Sequence, residues 1–208
     1  QPRVGLIATG NELQEAGRPL APGQIYESNR VSLAALLGQI GARAQSFPLL
    51  RDDLEETRVL LERALTECDA VVTSGGVSVG EMDFVKDAFQ KTGGQMEFWK
   101  VAIKPGKPFV FGRWKNQYLF GLPGNPVSAL VTFHLLVRPA LARMQGATES
   151  DPPSATGELA EPLVNRGDRR HFMRVRVDGS GKVRPAGAQA SHILSSLADA
   201  NGLVDVPP

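Results

Sequence analysis

The stretch AVVTSGGVSVGEMD, residues 70–83, decides the fold, because a short apolar run leads directly into a glycine-rich loop. The run predicts a strand over residues 70–74, and the apolar spacing after the loop predicts a helix over residues 84–91. The same order occurs twice upstream, with strands over 3–8 and 42–50 and helices over 28–40 and 54–66. Three successive βα units predict an α/β fold, a mostly parallel sheet that helices cover on both faces.

The rest of the chain divides into the end of this α/β unit and a smaller β-rich unit. Further strands are predicted over 97–103, 108–112 and 117–121, before a long helix from 126 to about 145. Residues 147–156 are rich in Ser, Thr, Pro and Asp, which is typical of a linker. Short β-like runs follow at 157–163, 171–177, 182–185 and 203–206, with a turn signal at 178–181. We predict an α/β domain over 1–146 and a small β-barrel-like domain over 147–208 that leans on it.

Composition and charge narrow the classes of function. Of the 208 residues, 42% are hydrophobic and 22% are charged, as in an ordinary globular protein. The formal net charge is +1, so neither nucleic acid nor an anionic membrane is an expected partner. The single Cys68 excludes an intramolecular disulfide and a cysteine zinc cage, and it favours a reducing, cytoplasmic location.

The chain shows neither a membrane-span pattern nor a signal-peptide pattern. The most apolar run, residues 128–144, is interrupted by His134, Arg138 and Arg143. The N-terminus has no basic region followed by an apolar one. Because a strand is predicted almost directly after Gln1, we expect the chain to be a piece of a longer protein.

Four loops are predicted to meet at one edge of the sheet, because ligands in open α/β folds bind outside the carboxyl ends of the strands. Their sequences are TGNE at 9–12, RDD at 51–53, SGGVSVGEMD at 74–83 and GLPGNP at 121–126. The glycine-rich backbone offers N–H groups to phosphate, and the carboxylates of Glu12, Asp52 and Asp83 offer oxygen ligands to Mg²⁺. The sequence therefore predicts a site for a phosphate-bearing ligand.

Each of these polar residues also has a purely structural interpretation. Asp53 resembles the first residue of a capping box, and Asp83 is either a helix cap or a ligand. Glu12 is either a ligand or a solvated loop residue. Asn125 and Pro126 are the expected N-cap and first residue of the long helix, an arrangement that is also an anion cradle.

Two basic segments are further candidates for anion binding. Strand alternation in residues 99–108 predicts Lys100 and Lys104 on one face, about 13 Å apart, which suits a ligand with several anionic groups. An exposed lysine face is the alternative. Residues 165–185 carry seven Lys or Arg side chains, which we interpret as an anion-facing hairpin or a solvated face, since a nucleic-acid interface would need more aromatic residues.

The few candidate nucleophiles and bases have structural interpretations. Ser191 and His192 are adjacent in one short segment, and such neighbours rarely aim at each other, so we do not expect a catalytic pair there. His134 is interpreted as a core or interface histidine, and Cys68 as a small buried apolar residue.

The loop motifs resemble those of a known family. TGNEL at 9–13, RDD at 51–53, the loop at 74–83, WKVAIKPGKP at 99–108 and GLPGNPVS at 121–128 are similar, in order and spacing, to the molybdopterin molybdenumtransferases. These are MoeA-like proteins whose relatives include the E domain of gephyrin. The resemblance is strong from about residue 3 to 146 and weaker over 187–196. It implies a first domain with the fold of the molybdopterin adenylyltransferases and a β-barrel-like second domain.

The resemblance also implies a reaction, the insertion of molybdate into adenylylated molybdopterin with hydrolysis of the adenylate and release of AMP. It implies that the functionally important acids are Glu12, Asp52 and Asp83. Because Asp52 and Asp83 end strand-edge loops that face the glycine-rich backbone, we predict that these two hold Mg²⁺. The resemblance implies anion binding by Lys100 and Lys104. The residues expected to bind the substrates are Thr9, Gly10, Ser74, Gly75, Gly76, Ser78, Gly80, Lys107, Pro123, Gly124, Asn125, Pro126 and Ser191.

The sequence departs from the family pattern in two ways. Asn11 stands where the family commonly has Asp, which removes one charge. Family members also carry two domains ahead of this region that help to complete the cleft across a dimer. A homodimer and contact with the molybdopterin adenylyltransferase are the expected assemblies. The alternative functions are adenylyl transfer to molybdopterin and a gephyrin-like scaffold that binds a peptide.

Overall fold

The computed structural model describes residues 1–76 and 84–208. Within these ranges the chain forms two main sheets and a set of packed helices. The strands are β1 (Arg3–Ala8), β2 (Leu13–Gln14), β3 (Ile25–Tyr26), β4 (Arg43–Ser46), β5 (Ala70–Ser74), β6 (Gln95–Trp99), β7 (Ile103–Lys104), β8 (Val110–Trp114), β9 (Gln117–Leu122), β10 (Glu158–Leu159), β11 (Arg170–Val177), β12 (Lys182–Pro185) and β13 (Gly202–Val206). The helices are α1 (Asn29–Gln39), α2 (Leu54–Glu67), α3 (Phe84–Lys91), α4 (Pro126–Thr132), a π-helical turn (Phe133–Val137), α5 (Arg138–Met144) and α6 (Ser195–Ala198).

The central sheet has the strand order β4-β1-β5-β9-β8-β6. The first four strands are parallel to one another, and β8 and β6 pair with their neighbours in the antiparallel sense. The prediction of a mostly parallel sheet is therefore confirmed. The carboxyl ends of β1, β5 and β9 lie side by side at one edge, where ligands bind in folds of this kind.

Helices cover both faces of this sheet because its central strands are apolar on both sides. Along β5, Ala70 and Val72 belong to one buried cluster, whereas Val71 belongs to the other. The first cluster packs against α1 and the long helix, for example through Leu33 and Phe133. The second packs against α2 and α3. Alternate side chains of a strand point to opposite faces, so a continuous apolar run fills two cores.

The long helix runs from Pro126 to Met144 and includes the π-helical turn. By length and composition it is apolar enough to cross a membrane, but core helices of globular proteins pass the same test. Ala129, Phe133 and Leu141 are buried in the first core cluster. This helix therefore supplies one layer of the α/β unit.

The second sheet has the order β10-β12-β11-β13, and β7 also pairs with β11. Strand β7 belongs to the segment that follows β6, so the central unit contributes two residues to the second sheet. The 178–181 turn is closed by a hydrogen bond from Gly181 N to Asp178 O. The long helix ends at Met144 and β10 begins at Glu158, and a domain boundary at 146/147 stays a prediction.

The prediction that Lys100 and Lys104 share one strand face is wrong. Strand β6 ends at Trp99, and Lys100 adopts a left-handed backbone with a φ of 70°. The Lys100 N–H donates to the Phe109 carbonyl, and this bond turns the chain out of the strand. Lys104 therefore lies in a separate strand that pairs with His171 of β11.

Candidate functional site

Three loops at the carboxyl edge of the central sheet are hydrogen-bonded to one another. We call the segments 9–12, 74–76 and 123–126 the loop junction. The Thr9 N–H donates to the Ser74 carbonyl at 3.1 Å, and the Gly75 N–H donates to the Leu122 carbonyl at 3.2 Å. The parallel order of β1, β5 and β9 places these loops together, as the sequence predicted.

The junction is so tight that two of its positions require glycine. Gly75 and Gly76 have φ values of 86° and 66°, in the left-handed region that side chains rarely adopt. A Cβ on Gly75 would lie 2.3 Å from the Thr9 carbonyl oxygen, and a Cβ on Gly76 would lie 2.7 Å from the Thr9 hydroxyl. The absence of side chains at these two positions lets Thr9 pack directly against the backbone of the 74–76 segment.

Asn29 joins two of these loops, although the sequence patterns did not single it out. It is the first residue of α1 and only 8% of its surface is exposed. Its Nδ2 donates to the Ser74 hydroxyl at 2.6 Å and to the Gly124 carbonyl at 2.8 Å. The available signal was an amide near the start of a predicted helix, but its partners lie 45 and 95 residues away in sequence.

The loops that carry the predicted acids Glu12 and Asp52 are hydrogen-bonded to each other. Asn11 and Asp52 are joined reciprocally: the Asn11 N–H donates to Asp52 Oδ2 at 3.3 Å, and the Asp52 N–H donates to Asn11 Oδ1 at 3.2 Å. The Glu12 carboxylate lies against Gly10, since a Cβ there would be 2.7 Å from Glu12 Oε2. Asn11 thus keeps the acceptor oxygen that an Asp would supply, without placing a second negative charge beside Asp52.

The third predicted acid, Asp83, lies outside the described residues, as do Ser78 and Gly80. Their predicted roles, and the alternative of Asp83 as a helix cap, stay predictions. Among residues 1–76 and 84–208, no group of three His, Cys, Asp or Glu side chains is placed to hold a metal. The role of Asp52 as a ligand of Mg²⁺ therefore also stays a prediction.

Two capping predictions have different outcomes. Asp53 caps α2, because its Oδ1 accepts a hydrogen bond from the Glu56 N–H at 2.8 Å. Asn125 occupies the N-cap position before Pro126, as predicted, but its side chain makes no capping bond. Instead Asn125 Nδ2 donates to the Ser191 hydroxyl at 3.2 Å.

Ser191 brings the second sheet's unit to the loop junction. In addition to its contact with Asn125, its carbonyl accepts from the Val127 N–H at 3.2 Å. Val127 is in the first turn of α4, where backbone N–H groups lack partners inside the helix. Pro123 is buried, whereas Gly124 is exposed beside this contact. The structure therefore brings Ser191 to the 123–126 loop, and its role in binding the substrate stays a prediction.

The interpretation of residues 165–185 as a surface segment is wrong for Arg174. Its side chain is fully buried, at 0% exposure. The guanidinium donates to the Ser196 hydroxyl and to the carbonyls of Ala188 and Ala190. Burial lowers the pKa of Arg174. The buried Arg174 side chain therefore stabilises the 188–190 backbone, which leads directly to Ser191.

A second group of cations lies where β7 meets β11. Arg169 donates from Nη1 to the Ile103 carbonyl at 3.0 Å, and Lys104 pairs with His171 across the strands. His171 is buried, and its Nε2 makes no hydrogen bond in the described structure. Burial, together with the charges of Lys104, Arg174 and Arg169, lowers the pKa of His171. Arg169 thus joins Lys104 in a basic cluster that sequence reasoning did not separate from its surface neighbours.

Lys100 and Lys107 lie at either end of the loop before β8. The Lys100 ammonium lies 3.7 Å from the centre of the Trp99 ring, a cation–π contact. The Lys107 side chain is exposed, and its carbonyl accepts from the Val101 N–H. These contacts hold Lys100 against an aromatic ring rather than beside Lys104.

The remaining titratable candidates are structural. Burial, with a smaller contribution from the Arg138 charge, lowers the pKa of His134 on the long helix. Burial raises the pKa of the Cys68 thiol to about 11, so it is neutral at pH 7. His134 also faces an apolar groove of about 280 Å³ that lies between α1, the long helix and α6. It is lined by Ser32, Leu36, Leu130, His134, Leu194, Leu197 and Ala198.

The fold and the loop junction define an α/β domain whose parallel sheet gathers its loops at one edge, joined to a smaller β unit. Residues 5–143 match the family described as "Probable molybdopterin binding domain". Residues 156–208 match the family described as "MoeA C-terminal region (domain IV)". With both regions matched in this order, the chain belongs to the MoeA-like family.

Known proteins agree with this placement. The chain is 43% identical over 206 residues to a molybdopterin molybdenumtransferase of Haemophilus influenzae, which covers 97% of this chain and 51% of the relative. It is 42% identical over 211 residues to molybdopterin molybdenumtransferase 2 of Mycobacterium tuberculosis, covering 99% of this chain and 52% of the relative. The chain thus spans about half the length of these curated relatives.

Solved structures show the same fold. A molybdopterin biosynthesis MoeA protein of Pyrococcus horikoshii aligns over 100% of this chain and 50% of its own, with a TM-score of 0.86 and 34% identity. The molybdopterin biosynthesis enzyme MoaB of Thermus thermophilus aligns over 71% of this chain and 98% of its own, with a TM-score of 0.52 and 17% identity. At 17% identity, the similarity to MoaB shows only that the two proteins share a fold.

Proposed function

We propose that this chain acts in molybdenum cofactor biosynthesis as the catalytic part of a molybdopterin molybdenumtransferase. In this reaction molybdate enters the dithiolene of adenylylated molybdopterin, and hydrolysis of the adenylate releases AMP. The observation that carries the proposal is the loop junction with Ser191 docked on it, at the carboxyl edge of the parallel sheet. The names of the relatives with 42% and 43% identity support it.

Different groups of this chain bind different anionic parts of the substrates. The backbone of Gly76 and Gly124 supplies N–H groups for the phosphates, whereas the Gly75 N–H already donates to the Leu122 carbonyl and holds the two loops together. Lys104 and Arg169 attract the anionic molybdate or the pterin phosphate. Strand β7 pairs this basic cluster with the second sheet, which belongs to the same unit that carries Ser191 to the junction.

We also propose that Asp52, together with Asp83, holds Mg²⁺. Asp52 fits this role, because its carboxylate is half-buried at the junction and its one described hydrogen bond, from the Asn11 N–H, is 3.3 Å long. Carboxylate oxygens are ligands that Mg²⁺ prefers. When bound, the ion would neutralise charge on the adenylate phosphates.

A turnover assay separates the candidate functions. Purified chain is incubated with adenylylated molybdopterin, with and without molybdate, and AMP is measured by chromatography. The proposal predicts AMP release that depends on molybdate. Consumption of ATP with free molybdopterin would instead identify an adenylyltransferase. Release of no AMP, and no consumption of ATP, would leave the gephyrin-like scaffold.

The assembly is proposed to be a cytoplasmic homodimer that receives its substrate from the molybdopterin adenylyltransferase. Exposed apolar side chains before and on α1 support an interface, and they are Leu20, Ile25, Tyr26 and Val31. The buried, un-ionised Cys68 suits a reducing compartment. Light scattering after size exclusion tests the dimer, and a monomer at every concentration contradicts it. Co-elution with a purified adenylyltransferase tests the second contact.

A further inference from the structure

Asn29 lies where two loops of the proposed substrate site meet, yet it belongs to neither loop. Its Nδ2 reaches the Ser74 hydroxyl at 2.6 Å and the Gly124 carbonyl at 2.8 Å. The carbonyl of Gly124 can only accept, so the side-chain atom facing it must be the amide nitrogen. This nitrogen has two protons, and the two loops use both.

These two bonds fix the direction of two other donors. Ser74 has one hydroxyl proton, and because its oxygen accepts from Asn29, that proton is directed to another partner. The Gly124–Asn125 peptide is trans, so the Asn125 N–H points opposite to the carbonyl that Asn29 holds. Asn29 therefore turns the hydroxyl proton and this N–H away from α1.

We propose that Asn29 is a positioning residue for the phosphate of the ligand, an inference that rests on the proposed function. It sets the spacing of the 74–76 and 123–126 loops and presents the Ser74 hydroxyl and the Asn125 N–H as donors. The two loops approach closely, since even a single added Cβ on Gly124 would reach van der Waals range of the Gly75 Cα, at 3.6 Å. A small loss of register between the loops would therefore misplace both donors.

A purely structural Asn29 would stabilise the fold without acting through Ser74. A double-mutant cycle distinguishes the two roles. The variants are Asn29→Ala, Ser74→Ala and their combination, and the probe is AMP, with affinity measured by titration calorimetry on the full chain. Asn201, which hydrogen-bonds the Val177 backbone in the second sheet's unit, supplies the matched control Asn201→Ala.

We expect Asn29→Ala to weaken AMP binding about tenfold and Ser74→Ala to weaken it by a similar factor. Because the two residues act as one unit, the double variant should be little weaker than either single variant. Asn29→Asp should weaken binding further, because a carboxylate opposes both the Gly124 carbonyl and the phosphate. Asn201→Ala should bind AMP as the wild type does.

Three results would overturn the proposal. If the wild type binds AMP and Asn29→Ala binds it equally well, Asn29 does not position the phosphate. If the two single effects multiply in the double variant, Asn29 does not act through Ser74. If the wild type does not bind AMP, the nucleotide half of the proposed function fails, and the role of Asn29 fails with it. Melting curves of each variant confirm that the fold persists.

Discussion

Replacing Gly75 by alanine tests the claim that the loop junction is built on close backbone contact. Gly75 has a left-handed backbone, with a φ of 86°. A Cβ placed there would lie 2.3 Å from the Thr9 carbonyl oxygen. Alanine at this position therefore meets two separate penalties, one conformational and one steric.

The two penalties can be separated with a second glycine. A left-handed conformation costs an L-residue about 1–2 kcal/mol. Overpacking against backbone that cannot move freely costs about 1–3 kcal/mol more. Gly93 has a nearly identical φ of 82°, but a Cβ there would have nothing within 4 Å. Gly93→Ala should therefore lose only the conformational part, and Gly75→Ala about 2–5 kcal/mol in total.

Urea denaturation of the wild type and the two variants measures these losses in the free energy of unfolding. Gly75→Ala should also lose AMP affinity, whereas Gly93→Ala should retain it, because Gly93 lies after α3 and away from the junction. Equal losses of stability in the two variants would refute the steric argument. Unchanged AMP affinity in a folded Gly75→Ala variant would refute the placement of the phosphate.

Three other substitutions test separate parts of the structure. Arg30→Met leaves the buried Glu27 carboxylate without its guanidinium partner at 2.8 Å. The free energy of unfolding, measured by urea titration, should fall by about 3–5 kcal/mol, and a loss below about 1 kcal/mol would contradict a stabilising buried pair. The pKa of His134 is lower in the folded state than in the unfolded state, so the unfolded chain binds a proton at higher pH than the folded chain does. The free energy of unfolding should therefore fall as the pH drops from 7 through the unfolded pKa of about 6.5. His134→Gln should lose less stability over that range, and an unchanged pH profile of the melting temperature would contradict the assignment. Lys104→Ala should weaken binding of molybdate or of the pterin phosphate by roughly 10- to 150-fold, as expected for a charge-assisted contact, whereas Lys115→Ala should not, and equal effects would favour a solvated lysine face.

Elements that are defined by local apolar patterns were predictable from the sequence. Strands β1 and β5 and helix α3 have the predicted bounds. Strand β4 is shorter than the predicted 42–50 run, and it ends at Ser46, two residues before Pro48, which has no N–H for a sheet ladder. Local sequence determines where apolar runs start and stop, so these predictions needed no knowledge of distant contacts.

Features that depend on contacts between distant segments were not predictable in this way. The strand predicted over 97–103 ends at Trp99, and the left-handed backbone of Lys100 and its hydrogen bond to Phe109 show where the chain leaves the sheet. In the sequence Arg174 is one of seven cations in residues 165–185, and only the tertiary structure shows that its side chain is buried. Asn29 owes its role entirely to Ser74 and Gly124, which only the tertiary structure brings to it.

The central claim is that a phosphate-bearing ligand binds at the loop junction. Titrating the ¹⁵N-labelled chain with AMP and following the amide resonances tests it directly. The account predicts saturable shifts that are largest at Gly10, Gly75, Gly76 and Asn125. Shifts confined to the groove around Leu36 and Leu194, or to the exposed arginines of β11 and β12, would contradict it.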